Sequence, residues 1–309
     1  MKENNFVSAV VCLNNGAGNV YDFLTMANAV FKSNFKNWEF ICVGAELEEE
    51  AVESIKKFKQ ENKNATVTMI DMGFSQGLEA FMHAGIDLAI GDYIYEFDTC
   101  VADYDPALIM EVYKKAITGC DIAAAVPSRP GSRMLSKMFY RIYNCFSRSK
   151  GEKIGPERFR ILSRRAVNRT CAYGRLIPYR KAVYASSGLK LGNVIYESSG
   201  MKADRSDRDS EKMNTAIDAL VIFTDLAYRF SLGLSVWMAI FMVFAGVYTL
   251  IVYFGMNKPV EGWAPLMGMI SLAFFAVFVV LTIIIKYLDV LLKLVFKKQK
   301  YLISSIEKL

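Results

Sequence analysis

Acidic and basic side chains that could take part in chemistry occur in two short segments of the sequence. The first has three carboxylates within eight residues, Glu96, Asp98 and Asp103. Carboxylate oxygens are the ligands that Mg²⁺ prefers in proteins, so Asp98 and Asp103 could share a divalent cation. The second segment has five arginines: Arg158, Arg160, Arg164, Arg165 and Arg169. Guanidinium groups bind phosphate, although a merely solvated basic face fits this spacing equally well.

Two of the conspicuous residues also have simpler interpretations. Asp103 comes shortly before a helix predicted over 107–118, so it could belong to a helix cap. Asp105 followed by Pro106 fits the N-cap and first-turn positions of that helix. His83 is the only histidine and lies within a predicted helix, which favours a packing or surface position over catalysis.

Short apolar runs alternate with segments of helical period over the first 120 residues or so. The predicted order is strand 6–13, helix 20–32, strand 38–43, helix 48–61, strand 66–71, helix 76–90 and strand 92–97. This alternation predicts an α/β fold with a doubly wound, mostly parallel sheet. Binding crevices in such sheets open at the carboxyl ends of the strands, which points to residues 14–18, 44–46, 73–75 and 98–103.

The run Asn15-Gly16-Ala17-Gly18 follows the first strand and hints at a dinucleotide-binding turn. The third glycine position of that motif holds Tyr21, and no acidic residue ends the second strand. The two glycines are better explained by a tight turn into the next helix.

A longer pattern covers nearly the whole chain. Its first part comprises Gln76-Gly77-Leu78-Glu79, Ala84-Gly85-Ile86-Asp87, Gly91-Asp92-Tyr93-Ile94 and Phe97-Asp98. Its remaining parts are Asn15, Phe159-Arg160-Ile161-Leu162, Arg164-Arg165, Ala216-Ile217-Asp218, Lys286-Tyr287-Leu288 and Tyr301-Leu302-Ile303. Together these segments resemble the family 2 glycosyltransferases with a GT-A fold, in particular the polyprenyl-phosphate glycosyltransferases.

The resemblance implies transfer of a sugar from a nucleotide-sugar donor to a polyprenyl phosphate or a membrane glycan. It implies Mg²⁺ or Mn²⁺ as the cation that offsets the departing diphosphate. The implied donor-binding residues are Asn15, Asp98 and Asp103, with Asp98 and Asp103 also as metal ligands. Arg160 and Arg164 are implied to bind the acceptor phosphate, and no catalytic residue is assigned. A homo-oligomer, or a heteromer with an active glycosyltransferase, is also compatible with the resemblance.

The chain departs from the family pattern at several acidic positions. The metal motif reads Asp98-Thr99-Cys100, so its second acid has become a thiol, a poor ligand for Mg²⁺. Gly44 and Ala45 stand where aspartates usually read the base, and Arg158 stands where an acid is common. These losses leave a second hypothesis open, a catalytically inactive relative that binds or scaffolds partners in the same pathway.

Two long apolar runs near the C-terminus contain no charged residue. They cover 230–255 and 262–285, and each exceeds the roughly 20 residues that cross a bilayer. The short link between them predicts a transmembrane hairpin. Lysines follow the second run, which predicts that both termini are cytoplasmic.

The sequence therefore predicts a cytoplasmic GT-A domain over 1–215 at the inner membrane. A juxtamembrane helix over 216–229, two transmembrane helices over 230–285 and an amphipathic tail over 286–309 complete the expected organisation. The net charge of +6 comes without a basic-aromatic stripe, so no nucleic-acid partner is expected. The six cysteines form no C-x-x-C pair, which predicts reduced thiols.

Overall fold

The structure is a computed structural model. It describes residues 2–13, 19–128, 134–147, 153–171, 179–198, 263–296 and 301–309, with scattered residues between 217 and 251. The chain forms two compact units. The first comprises Met1–Cys145, Ser149–Ile217 and Lys298–Leu309, and the second comprises Phe146–Arg148 and Asp218–Lys297.

Strands and helices alternate along most of the first unit. The strands are β1 (Val7–Cys12), β2 (Trp38–Gly44), β3 (Thr66–Asp71), β4 (Tyr93–Phe97), β5 (Ile122–Pro127), β6 (Phe159–Ser163), β7 (Leu191–Tyr196) and β8 (Ser305–Lys308). The helices are α1 (Val20–Asn34), α2 (Glu49–Glu61), α3 (Leu78–Leu88), α4 (Ala107–Ile117), α5 (Met134–Phe146), α6 (Arg164–Cys171) and α7 (Arg180–Ser186). The predicted α/β alternation of the first 120 residues is confirmed.

The eight strands form one sheet in the order β7-β5-β6-β4-β1-β2-β3-β8. Strands β1 to β4 pair in parallel, and β5 pairs in parallel with β7. Strand β6 runs antiparallel between β4 and β5. The expected doubly wound, mostly parallel sheet is therefore confirmed. The chain first builds outward from β1 through β2 to β3 and then returns to place β4 on the other side of β1.

Each face of the sheet carries its own hydrophobic core. Tyr95 and Phe97 on β4, with Phe159 and Ile161 on β6, join the core formed with α1 and α4. Ile94 and Leu162, from alternate positions on these two strands, join the second core with α3 and α6. The alternation directs Glu96 and Arg160 towards the face of the second core.

The end of the chain forms the edge strand β8, which pairs antiparallel with β3. The Gln76 side-chain amide binds the segment that precedes β8. It accepts from the Leu302 N–H at 2.9 Å and donates to the Leu302 carbonyl at 2.7 Å. Tyr301 donates to Asp87 at 2.9 Å. The amphipathic tail expected over 286–309 did not include this strand, because its four residues are exposed and carry no strong alternation.

The described part of the second unit is dominated by the helix α8 (Trp263–Phe296), which is 34 residues long. Phe274, Phe275 and Phe278 on this helix are 61–65% exposed. Among the residues described in full, no helix combines the length and the apolarity that crossing a membrane requires. Half of the residues of the first predicted span, 230–255, lie outside the described residues. The membrane hairpin and the division into 1–215, 216–229, 230–285 and 286–309 stay predictions.

The turn between α3 and β4 is built on a close approach of backbones. The N–H of Gly91 donates to Ser8 Oγ at 2.8 Å, and Asp92 accepts from the Phe6 N–H at 2.8 Å. A Cβ on Gly91 would lie 2.7 Å from the Ser8 nitrogen and 2.9 Å from the Phe6 carbonyl oxygen. Because both neighbours are backbone atoms of the β1 region, only glycine fits this turn.

We expect Gly91→Ala to destabilise the protein by about 1–3 kcal/mol, since the added methyl group must push the backbone of β1 aside. Thermal and denaturant unfolding of the full chain measure the effect. Gly155→Ala is the matched control, because nothing lies within 4 Å of a Cβ at that position. A loss for Gly91→Ala no larger than that for the control would contradict the close approach.

Candidate functional site

The candidate site lies at the carboxyl end of β4. Since β1 is flanked by β2 and β4, the direction in which strands are added reverses between β1 and β4. Ligand crevices of open α/β sheets form outside the carboxyl ends of the strands at such a reversal. Asp98 directly follows β4 there. Asn15, the donor-binding residue expected after β1, lies outside the described residues.

Glu96 and Arg160 are direct cross-strand partners in the antiparallel β4–β6 pair. Their side chains therefore extend from the same face of the sheet, and Arg160 Nη1 lies 3.2 Å from Glu96 Oε2. Both side chains are buried, with 0% of Glu96 and 2% of Arg160 exposed. Arg160 also approaches Glu157 at 3.0 Å and Asp98 at 3.6 Å.

Arg180, at the start of α7, brings a second guanidinium group to the same carboxylates. Its Nε lies 2.7 Å from Glu79 Oε2, its Nη1 2.8 Å from Glu96 Oε2 and its Nη2 2.8 Å from Asp98 Oδ1. The backbone N–H of Arg180 donates to Glu79 as well, at 3.0 Å. Each of its three guanidinium nitrogens thus faces a different carboxylate, and the side chain is 1% exposed.

One turn later, α7 places Tyr184 beside the same cluster. Its hydroxyl donates to Glu96 Oε1 at 2.6 Å, and its ring lies 5.4 Å from the Arg160 guanidinium carbon. Tyr184 therefore satisfies the second carboxylate oxygen of Glu96 and stacks with a cation. The Arg180 Nη1–Glu96 and Arg160 Nη1–Glu96 contacts lack hydrogen-bond alignment, so their attraction is chiefly that of opposite charges.

The electrostatic effect of the cluster shows in Asp98. Burial alone would raise the pKa of this carboxyl group, but the Arg180 and Arg160 guanidinium groups outweigh burial and lower the pKa to about 2. The carboxylates in turn raise the pKa of Arg180, although burial acts in the opposite direction. Asp98 therefore stays ionised throughout the physiological range.

Asp103 occupies a separate ion pair. Arg158 donates to both of its carboxylate oxygens, and Ser198 donates to Oδ2 at 2.8 Å. Burial raises the pKa of Asp103, while these hydrogen bonds lower it further than burial raises it. Asp105, and not Asp103, bonds to the start of α4, where it accepts from the Ala107 N–H at 2.8 Å. Arg158, which departs from the family pattern, thus has a defined partner.

The structure does not bring Asp98 and Asp103 together on one ligand, since each faces its own arginines. Among the described residues, no group of three His, Cys, Asp or Glu side chains is arranged to hold a metal ion. Cys100, at the second position of the metal motif, is buried, and burial raises the pKa of its thiol. A thiol is a poor ligand for Mg²⁺, which prefers oxygen.

The two arginines expected to bind the acceptor phosphate have protein partners. Arg160 belongs to the buried cluster. Arg164 donates to the backbone carbonyls of Gly91, at 2.6 and 3.0 Å, and Ala89, at 2.8 Å, and so holds the turn before β4. The phosphate-binding role of these arginines stays a prediction. His83 is buried in α3, in agreement with a packing position.

Sequence reasoning missed Arg180, Glu79 and Tyr184 as members of the site. Arg180 lies 82 residues from Asp98 and 101 from Glu79 in the sequence. The only local signal was the spacing of Arg180 and Tyr184, which puts both side chains on one face of a helix.

Comparison with known proteins gives similarity in fold only. The sequence matches no protein-family model and no curated protein. Solved structures with a similar fold include a mannosyltransferase from Pyrobaculum calidifontis in complex with GDP-Man and Mn²⁺, 9% identical over 96% of this chain and 89% of that one, with a TM-score of 0.48.

Two further similar structures are a glucosyl-3-phosphoglycerate synthase and a mannosyl-3-phosphoglycerate synthase. Glucosyl-3-phosphoglycerate synthase from Mycobacterium tuberculosis, with Mn²⁺, UDP-glucose and phosphoglyceric acid, is 11% identical over 70% of this chain and 78% of that one, with a TM-score of 0.49. Mannosyl-3-phosphoglycerate synthase from Rubrobacter xylanophilus is 14% identical over 69% and 71%, with a TM-score of 0.46. Two of these three structures contain Mn²⁺. At these identities and scores the likeness does not extend to substrate or mechanism.

We expect Asp98→Asn to destabilise the protein by about 2 kcal/mol at pH 7, because the folded state lowers the pKa of this carboxyl from its usual value near 3.9 to about 2. A lowered pKa stabilises the fold above the unfolded-state pKa, and this contribution is lost as the pH falls from about 4 to about 2. The difference between the two proteins should shrink over that window.

Unfolding followed as a function of pH measures the difference. Asp22→Asn, at an exposed carboxylate of α1, is the control. A difference between Asp98→Asn and the natural chain that is small at pH 7, or that grows on acidification, would contradict the ion pairs of Asp98.

Proposed function

We propose that this chain is a GT-A-type glycosyltransferase that takes its sugar from a nucleotide-sugar donor. The observation that carries the proposal is the position of Asp98 and its charged partners outside β4, at the reversal of strand order where such sheets bind ligands. The family resemblance of the sequence supports the same site, since it identifies Asp98 with the surviving acid of the metal motif. The donor would lie over this sheet edge with its diphosphate towards the charged cluster.

We further propose that the acceptor is a phosphate on a membrane lipid, a polyprenyl phosphate, or a membrane glycan. Two features support a membrane location at the cytoplasmic face. The uncharged runs 230–255 and 262–285 are long enough to cross a bilayer, with lysines beyond the second run. The exposed aromatic side chains of α8 are also better accommodated by lipid than by water.

A second candidate is a non-catalytic relative that binds a donor or a partner glycosyltransferase without transferring sugar. The observation that favours it is that the carboxylates of Asp98 and Asp103 are already paired with arginines. Asp98 faces two guanidinium groups and Asp103 a third, so neither carboxylate projects towards a ligand without rearrangement. Cys100, in place of the second acid of the motif, adds to the same interpretation.

The two candidates are separated by release of nucleoside diphosphate from UDP- and GDP-sugars. The full chain is reconstituted with undecaprenyl phosphate, with and without Mg²⁺ or Mn²⁺. If the chain is a transferase, one donor releases its diphosphate only in the presence of the lipid. Asp98→Asn should lower that rate at least about tenfold, since a charge-assisted contact is worth roughly 1.5–3 kcal/mol.

Asp22→Asn, which lies outside the site, should keep the rate of the natural chain. Circular dichroism at the assay temperature verifies that each variant is folded. No release from any donor, combined with saturable donor binding by calorimetry, would reject the transferase in favour of the non-catalytic candidate. Absence of both release and donor binding would reject the transferase and leave only a relative that binds a partner glycosyltransferase.

A further inference from the structure

Three carboxylates from separate elements surround the guanidinium group of Arg180. Glu79, Glu96 and Asp98 come from α3, β4 and the loop after β4, yet each places an oxygen 2.7–2.8 Å from a nitrogen of one guanidinium group. Carboxylates from separate elements that converge on a single centre are typical of divalent-cation sites. Here the centre is a side chain of the protein.

We propose that the guanidinium group of Arg180 is the resident cation of this site and takes the place that a divalent metal would have. The role of this site in offsetting the charge of a donor diphosphate rests on the proposed function. The position of the Arg180 guanidinium group among the three carboxylates does not, because it is a property of the free protein.

The residues around this centre fit a metal ion less well than they fit the guanidinium group of Arg180. A divalent ion among these carboxylates would meet the charge of Arg180 at their centre and that of Arg160 beside Asp98 at 3.6 Å. Lys181 adds a third positive charge to the surroundings of Asp98. Two cations within a few ångströms of a metal ion repel it strongly in a buried region of low dielectric constant. The four carboxylates Glu79, Glu96, Asp98 and Glu157 are instead paired with guanidinium groups.

The buried position of Arg180 supports its role as a fixed cation. The side chain is 1% exposed, and Glu79 of α3 holds the backbone of Arg180 by accepting from its N–H. Removal of the guanidinium would take one counter-charge from each of the three carboxylates, of which Glu96 and Asp98 would keep Arg160. Such a site should accept an external cation of either kind, a metal ion or a free guanidinium compound.

The first measurement is Mn²⁺ binding to the full natural chain and to Asp98→Asn, followed by the loss of the free Mn²⁺ signal in electron paramagnetic resonance. We expect the two proteins to give the same binding curve, because Asp98 holds no metal. A Mn²⁺ site in the natural chain that Asp98→Asn abolishes would overturn the proposal. This measurement needs no sugar, so its outcome is independent of whether the chain is a transferase.

The second measurement uses Arg180→Ala, which should melt at a lower temperature than the natural chain and acquire a Mn²⁺ site. At a Mn²⁺ concentration roughly tenfold above the dissociation constant, its melting temperature should rise by about 3 °C, while that of the natural chain stays constant. Ethylguanidinium should produce a rise of the same sign, and ethylurea, its uncharged analogue, should not. Equal rises with ethylguanidinium and ethylurea, or none with either cation, would overturn the proposal.

If Arg180→Ala does not fold, the comparison of the natural chain with Asp98→Asn still decides the matter. Arg165→Ala is the matched control for removal of an arginine, because Arg165 is 74% exposed and contacts the carboxylate of Asp121 outside the cluster. It should neither acquire a Mn²⁺ site nor respond to ethylguanidinium. A response equal to that of Arg180→Ala would mean that the cations act on the surface, and would overturn the proposal.

Discussion

The arrangement of the first unit depends on one electrostatic constraint, the burial of two guanidinium groups against carboxylates on one face of the sheet. Removing one member of a buried ion pair typically costs 3–5 kcal/mol, because the partner is left charged in a medium of low dielectric constant. Glu96 is wholly buried and cannot be left alone. Strand β6 must therefore pair in the register that brings Arg160 opposite Glu96, and α7 must begin where Arg180 reaches both Glu96 and Asp98. The polar cluster thus specifies strand register and helix position more narrowly than apolar packing alone.

Much of the sheet could be predicted from the sequence because its signal is local. Strand β3 was predicted over 66–71, the range the structure has, since its apolar run ends at Asp71 and turn residues follow. Helix α2 begins and ends within one residue of its predicted bounds, because its apolar residues recur with helical period. The edge strand β8 could not be predicted in this way. It is short and exposed, and it pairs with β3, more than 230 residues earlier in the chain.

The site could be predicted only in part, for the same reason. Asp98 was identified because it ends a predicted strand, and strand ends are where crevices form. The partners that determine its chemistry come from distant parts of the chain, so no local pattern indicated that Arg180 would reach it. The arginine cluster showed the same limit. Its charge suggested phosphate binding, whereas Arg158, Arg160 and Arg164 each have a carboxylate or carbonyl partner that only the fold reveals.

A covalently attached cation differs from a diffusible metal ion in ways that matter for a binding site. A metal ion must be bound from solution, and it can leave with a product or be removed by a chelator. The charge of an arginine is permanent, because its pKa lies far above the physiological range. It also cannot change its coordination, and each nitrogen that faces Glu79, Glu96 or Asp98 is engaged before a ligand arrives. Because the Arg180 side chain is 1% exposed, a diphosphate could gain a direct contact with it only if the side chains around it rearranged. The same ion pairs that hold the fold together thus oppose the rearrangement that turnover at this site would require.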